Sequence, residues 1–339
     1  MTGSEDATAA LTALSEGWRP ASRIAPLGAG HIHATWLVEP VGTAAGRFVL
    51  QRLSTAVFTD PRGLMEKIAR VVAHVSARAP GWVPGLVPTR SGNWWQESLD
   101  GGYWRLWRHV EDARTLQVLD NPAQAQSAGR AFGCFQRWLG DLPGDVPDPI
   151  PGFMQLDHYL RRLDAARERA GADSARAEGL ARQFEVIDRR RDLVGAFATR
   201  DRLVHADCKV NNLLFRADRD EVICILDLDT VMRGNWAWDA GDLIRSAASD
   251  PAGFSLERFA AVVRGMREGG GIDAPAEAWA LAPRYVTLML GVRFLTDHLE
   301  GDWYFRVDRR GDNLERARAQ FRLLLELERS ETAMLAAAR

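Results

Sequence analysis

Two neighbouring segments, HADCKVNN (205–212) and VICILDLD (222–229), decide how this 339-residue chain is read. Asn212 to Phe215 and Val222 to Leu228 are short apolar runs joined by the polar turn ADRDE (217–221), the pattern of a small β-hairpin. Side chains two apart on a strand face the same way, so ILDLD (225–229) is expected to project Asp227 and Asp229 from one face and Leu226 and Leu228 from the other. Only two of the 43 lysine and arginine residues are lysines, Lys67 and Lys209, and Lys209 sits inside the first segment between an aspartate and two asparagines.

The chemistry follows from residue type and order. Two carboxylates and the Asn212 side-chain amide make an oxygen-ligand set suited to Mg²⁺, which takes one or two carboxylates and completes its shell with water and phosphate oxygens. His205-x-Asp207, with Asn212 five positions after the aspartate, reproduces the order of a kinase catalytic loop, in which the aspartate accepts a hydroxyl proton and the asparagine holds metal. Asp227 stands in the place of that loop's metal-binding aspartate. Lys209 is positioned to set a positive charge against a transferring phosphoryl group.

Outward from this hairpin the chain changes character. Residues 24–110 carry strand signals in IAPLGAGHIHATWLV (24–38), RFVLQRL (47–53) and WWQESLDGGYWRLWRHV (94–110), with a tight turn at Asp100-Gly101-Gly102. One helix interrupts them, opening at the cap Asp60-Pro61 and carrying Leu64, Ile68, Val71, Val72 and Val75 at helical spacing. From Asn121-Pro122 onwards the pattern is helical, near 122–140, 153–170, 173–199, 238–249, 255–269, 274–300 and 312–338, apart from 203–229. The expectation is an α+β, two-lobed, protein-kinase-like fold. Residues 1–110 form an N-terminal nucleotide-binding lobe, an antiparallel sheet with one helix plus an N-terminal helix. Residues 111–339 form a mostly helical C-terminal lobe with the catalytic loop and hairpin at 203–229 and the acceptor-binding region. In the first lobe, Gly28-Ala29-Gly30 between two strands lets backbone approach phosphates. The strand 48–52 has no lysine, which makes Arg52 the candidate phosphate cation and Glu66 on the next helix its partner.

Composition excludes other classes. A net charge of -2 lacks the basic footprint of a nucleic-acid binder. The odd cysteines Cys134, Cys208 and Cys224 have neither zinc nor redox-motif spacing. The acidic start, MTGSEDATAALTALSEGW, lacks the form of a signal peptide, and no apolar run reaches membrane-spanning length, so a cytoplasmic location without membrane partners is expected.

The segments HADCKVNN and ILDLD give the chain a broad resemblance to the aminoglycoside phosphotransferase and choline kinase group of small-molecule kinases. A narrower resemblance, to the N-acetylhexosamine 1-kinases, rests on GAGHIHATWLV, FVLQRL with AVFTDPRGLMEKI, EDART, GRAFGCFQRWLGDLPG, LDLDTVMRG and RFLTDHLEGDWYFRV, and spans about residues 24–327. It implies ATP and Mg²⁺ as cofactors, Asp207 as base, and Asn212 and Asp227 as metal ligands. It also implies the Gly28–Gly30 loop over ATP, and His31 and Arg306 near a sugar acceptor. Ala206 and Cys208 depart from the family's usual His-Asn-Asp-Thr-Lys, and Ser246-Ala247 departs from the bulkier or glycine-containing pair expected after Arg245.

The implied reaction is transfer of the ATP γ-phosphoryl group to the anomeric hydroxyl of an N-acetylhexosamine or related free sugar. An alternative keeps the chemistry and takes an aminoglycoside, amino alcohol or other small metabolite as acceptor. For a polycationic acceptor Asp229, Asp297, Glu300 and Asp302 would supply acidity, while Arg293 and Arg306 oppose it; His31, Arg293 and Arg306 are the candidate substrate residues. A nucleotide-binding pseudokinase is disfavoured, since base, metal ligands and loop cation are all present.

Overall fold

The structure is a computed structural model, and it describes residues 3–18, 21–27, 32–40, 46–170, 179–250 and 253–339. Two compact units emerge: Met1–Ala113 with Ile223–Asp229, and Arg114–Val222 with Thr230–Arg339. The segment 223–229, expected to belong wholly with the helices, therefore clusters with the first unit.

The first unit is built on an antiparallel sheet of strands β1 (Ala21–Pro26), β2 (Ala34–Pro40), β3 (Phe48–Arg52), β4 (Leu86–Val87), β5 (Gln96–Glu97) and β6 (Tyr103–Arg108), ordered β1-β2-β3-β6-β4 with β5 also on β6. Helix α1 (Gly3–Gly17) covers one face, where Leu14, Trp18, Trp36, Leu50 and Trp104 form the core. The Asp100-Gly101-Gly102 turn forms as expected, with Gly101 at φ 75° and the Asp100 carboxylate accepting from the Gly102 amide. Helix α2 (Pro61–Arg78) opens with Asp60 accepting from the Gly63 amide, and its apolar stripe Leu64, Ile68, Val71, Val72 and Val75 is buried.

The second unit begins at Arg114, within the short strand β7 (Ala113–Thr115), and is mainly helical: α3 (Pro122–Leu139), α4 (Leu156–Ala170), α5 (Ala181–Asp188), α6 (Trp236–Ala247), α7 (Leu256–Gly270), α8 (Ala276–Glu300), α9 (Asp312–Arg329) and α10 (Glu331–Ala337). The helix expected over 173–199 is shorter, since helix α5 ends at Asp188 and a 3-10 turn follows at Arg191–Leu193; residues 171–178 lie outside the described residues. That expected at 312–338 divides at Ser330. Glycines in GRAFG (129–133) and GMREG (265–269) let helices α3 and α7 meet backbone to backbone, because a Cβ at Gly129, Gly133, Gly265 or Gly269 would strike the facing main chain. Strands β8 (Arg202–Val204) and β11 (Met232–Gly234) pair antiparallel, with Val204 opposite Met232, and fix the point from which residue 205 departs.

Candidate active site

The loop that leaves strand β8 is held by a buried carboxylate. Asp239, on helix α6, accepts from the amides of His205 (2.9 Å) and Ala206 (2.7 Å) and from Gln136 Nε2 (2.8 Å). Burial pushes its pKa up, against the charge of His205 and these three donors. Ala206 takes a left-handed φ of 63°, conformational strain that this clamp maintains. The buried His205 ring meets Phe132 and Phe135 edge-on, at 5.2 and 5.6 Å. Its Nδ1 accepts from the Asp207 amide at 3.3 Å, and Thr230 Oγ1 donates to the His205 carbonyl.

These contacts aim Asp207. Lys209 Nζ lies 2.9 Å from Asp207 Oδ2, and Asn212 Nδ2 donates to the same oxygen at 2.9 Å and to the Asp207 carbonyl at 2.8 Å. Both acceptors require the amide nitrogen there, which turns the Asn212 side-chain oxygen away. Among the described residues no hydrogen bond falls on Asp207 Oδ1. Burial alone would raise the Asp207 pKa; Lys209, His205 and Asn212 together hold it below the usual carboxylate range. The carboxylate is thus ionised, with Oδ2 held by Lys209 and Asn212 and Oδ1 outside that network. The altered neighbours have local roles. Ser246 Oγ accepts from the Val210 amide at 2.9 Å, and Cys208 is fully buried, its thiol pushed well above the usual value by burial and by Asp239 and Asp242.

In the first unit the structure corrects the strand argument for the aspartates. Strand β10 (Val222–Ile225) ends before them, Asp227 takes a left-handed φ of 61°, and Leu228–Thr230 form a 3-10 turn, so the two carboxylates do not alternate on a strand. Asp227 is exposed. Asp229 is 1% exposed and, instead of facing a metal, ends in an ion-pair cluster: Arg105 Nη1 donates to Oδ1, and Arg105 Nη2 and His33 Nε2 each reach Oδ2 at 2.8 Å. His33 Nδ1 accepts from the Ser54 amide at 3.1 Å, so Nε2 carries the proton given to Asp229. Lys67 Nζ donates to the Asp229 carbonyl at 2.8 Å. Burial would raise the Asp229 pKa, but Arg105 and His33 hold it well below the carboxylate range.

Neighbouring residues of strand β3 face opposite sides of the sheet. Gln51, with Arg105 and Trp107, faces the side of the sheet that carries Asp229, and its Oε1 accepts from Arg105 Nε (2.9 Å) and Trp107 Nε1 (2.8 Å). Arg52 points to the opposite, α1-covered face, where it bonds Asp100 Oδ2 at 2.8 Å and lies over Trp104. Glu66 is exposed on helix α2, and Lys67 beside it is the buried charge, so Arg52 pairs with Asp100 rather than Glu66. Gly28, Gly30 and His31 lie outside the described residues. Sequence reasoning missed His33, Lys67 and Arg105. An arginine at the centre of the apolar run YWRLWR (103–108) was the available signal.

In the second unit a cavity of about 420 Å³, solvent mouth included, is lined by Arg293 with Tyr159, Arg162, Asp297, Tyr304 and Phe305 among others. Arg306, expected near a sugar acceptor, is exposed and does not line this cavity; its carbonyl accepts from Arg316.

Comparison with known proteins follows this geometry. Residues 23–274 match the model of the APH phosphotransferase enzyme family, and the chain belongs to that family. Among solved structures it is similar to the microcompartment-associated aminopropanol kinase (20% identity, TM-score 0.64, covering 97% of this chain and 99% of that one). It is also similar to a choline/ethanolamine kinase family protein from Mesorhizobium loti (18%, TM-score 0.59, 99% of both chains). A spectinomycin phosphotransferase in complex with ADP and spectinomycin shares the fold at 12% identity, with TM-score 0.62 over 96% of this chain and 98% of that one. The α+β, kinase-like fold is thus established. Among the described residues no helix is long and apolar enough to cross a membrane.

Proposed function

We propose that the chain transfers the γ-phosphoryl group of ATP to a hydroxyl of a small molecule, with Asp207 as base. The observation that supports this most directly is the asymmetry of the Asp207 carboxylate, with Oδ2 held by Lys209 and Asn212 and Oδ1 outside that network. In this reading the acceptor hydroxyl gives its proton to Oδ1, its oxygen bonds the γ-phosphorus, and the bond to the bridging oxygen breaks to release ADP. Lys209 brings positive charge beside the reacting groups.

Asn212 and Asp227 would hold Mg²⁺. Their oxygen donors fit it: Asp227 is exposed, and the Asn212 oxygen is turned out of the Asp207 network. Among the described residues no group of three or more histidine, cysteine or acidic side chains is arranged to hold a metal ion, and an ion that shares its shell with phosphates does not require one. When bound, the ion neutralises charge on the phosphates. Asp229 is left out of this set because its oxygens are committed to Arg105 and His33.

For the acceptor, the first reading is the anomeric hydroxyl of an N-acetylhexosamine, supported by the resemblance that includes RFLTDHLEGDWYFRV (293–307). In this segment Asp297 accepts from the amides of Trp303, Tyr304 and Phe305 and so shapes the cavity wall. An amino alcohol or aminoglycoside is the second reading, favoured by the names of the similar structures. Free sugars, methyl glycosides, amino alcohols and aminoglycosides incubated with Mg-ATP and scored by ADP release test the function. Blocked methyl glycosides should be inert and the sugar product should show phosphorus coupled to H1. Turnover of amino compounds alone replaces the first reading by the second, and absence of ATP binding removes both.

A further inference from the structure

Arg293 projects from helix α8 into an aromatic cluster. Its guanidinium carbon lies 5.1 Å from the ring centroids of both Phe153 and Tyr159, 5.3 Å from Phe305 and 5.8 Å from Tyr304. All four are within the roughly 6 Å at which a cation is held by a ring face. Clusters of this kind receive quaternary and primary ammonium groups when empty; here the protein's own cation fills the box.

The other charged groups in and around the cavity have partners of their own. Asp297 Oδ1 accepts from the Trp303 and Tyr304 amides, and Oδ2 from the Phe305 amide and Asn313 Nδ2. Glu300, the partner of the lining residue Arg162, binds it at 2.5 Å and Arg169 at 2.8 Å. His158, another lining residue, has its pKa lowered by burial and by Arg161 and Arg162, so it is neutral at neutral pH. Among the described residues no carboxylate lies within ion-pair distance of Arg293. Burial pulls its pKa down, but Tyr159, Tyr304 and the charge of Asp207 more than compensate, which leaves the guanidinium charged and places Asp207 within its electrostatic reach. The guanidinium among the rings is therefore charged and has no ion-pair partner among the described residues, while the Asp297 carboxylate of the cavity wall is held by neutral donors.

We propose that Arg293 is a specificity-determining residue that turns an aromatic ammonium box into a site for neutral or anionic oxygen-rich acceptors, with its N–H groups offered to hydroxyl, carbonyl or carboxylate oxygens. The proposal rests on the kinase reading above for calling the ligand an acceptor, and it opposes the amino alcohol and aminoglycoside reading. A cation entering the box must displace or approach the guanidinium at close range in a partly desolvated site, where like charges repel most strongly.

The test separates the box from the kinase. Tetramethylammonium is titrated by calorimetry against the wild type, Arg293→Ala, which empties the box, and Arg293→Met, which removes the charge but keeps the bulk. Binding to Arg293→Ala should be tighter than to the wild type by at least about tenfold, the scale of one desolvated cation–π contact. Equal or tighter binding by the wild type overturns the proposal. Where Arg293→Ala does not fold, the ratio of kcat/KM for choline to that for N-acetylglucosamine carries the test. It should rise about tenfold or more in Arg293→Met, and an unchanged ratio overturns the proposal. A wild type that phosphorylates choline, an aminopropanol or kanamycin better than N-acetylglucosamine or glucuronate also overturns it. ATP affinity, measured separately, should be the same in all three proteins; its absence in all would remove the kinase reading while the ammonium titration still decides the box.

Discussion

Asp207 and Asp229 are both carboxylates held by cations, yet they are built for opposite ends. Asp207 is partly exposed, its side-chain partners Lys209 and Asn212 lie two and five residues away, and one oxygen stays outside the network. Asp229 is buried, with partners 124, 162 and 196 residues distant, and its carboxylate oxygens and carbonyl accept from Arg105, His33 and Lys67. A carboxylate that must react keeps a lone pair available and tolerates water. A carboxylate that must hold a segment consumes every lone pair it can. Two aspartates separated by one leucine, Asp227 and Asp229, likewise end in different surroundings, the first exposed in a left-handed conformation between strand and turn and the second buried among cations.

The largest expected effect breaks the holding site. Asp229→Ala leaves Arg105 buried without a countercharge and should cost roughly 3–5 kcal/mol of stability, read from urea unfolding. Replacing the pair together, Arg105→Met with Asp229→Leu, should recover much of this, because an apolar pair carries no desolvation penalty. The pH dependence has a definite sign. With its folded pKa far below the unfolded value, Asp229 contributes stability that is fully present above about pH 4 and is lost as pH falls toward the folded value. Stability of the wild type should therefore fall on acidification more steeply than that of the doubly substituted apolar protein. An Asp229→Ala protein with an unchanged unfolding midpoint would erase the contrast with Asp207.

Next in size is the reacting site. Asp207→Asn keeps the shape but cannot accept a proton, and should lose on the order of a hundredfold in kcat while the unfolding midpoint and ATP affinity hold. A stability loss as large as that of Asp229→Ala would mean that both carboxylates are structural. Asn212→Ala and Asp227→Ala sharpen the same contrast, since each should raise the Mg²⁺ concentration needed for half-maximal rate, whereas the apolar replacement of the Arg105–Asp229 pair should not. A Mg²⁺ titration that shifts only in the Asp229 variants would return the metal to Asp229.

What was legible in the sequence follows the same division. The helix cap at Asp60-Pro61, the Asp100-Gly101-Gly102 turn and the order of His205, Asp207, Lys209 and Asn212 are local, and short-range rules of capping, turn chemistry and motif spacing reach them. The Asp229 cluster is assembled from strand β6, the approach to strand β2 and helix α2, and no local rule links those segments. The alternation argument failed because the strand, expected to run to Leu228, ends at Ile225. Strand 48–52 was placed correctly, but the Arg52–Glu66 pair was not, because Phe48, Leu50 and Arg52 share the α1-covered face, where Arg52 meets Asp100, and Gln51 takes the other. The two lysines of the chain were the one global clue. Both hold an aspartate at these two sites, Lys209 at the Asp207 carboxylate and Lys67 at the Asp229 carbonyl.

The smallest expected effect concerns strand 48–52. Arg52 bonds Asp100 with side chains 24% and 48% exposed, and an ion pair this open contributes at most about 1 kcal/mol. Arg52→Ala should therefore shift the unfolding midpoint slightly and leave the Michaelis constant for ATP unchanged, because the guanidinium lies on the face away from Asp229. Gln51→Ala should do more despite removing no charge. Its oxygen accepts from both Arg105 Nε and Trp107 Nε1, and two donors left without an acceptor cost roughly 1–3 kcal/mol each when buried. It should also loosen the guanidinium that grips Asp229, so the cost should shrink when Gln51→Ala is added to the apolar Arg105–Asp229 replacement. If Arg52→Ala instead raises the ATP Michaelis constant and Gln51→Ala does not, the phosphate contact comes from the α1-covered face, and the division of the sheet into a packed side and a working side is wrong.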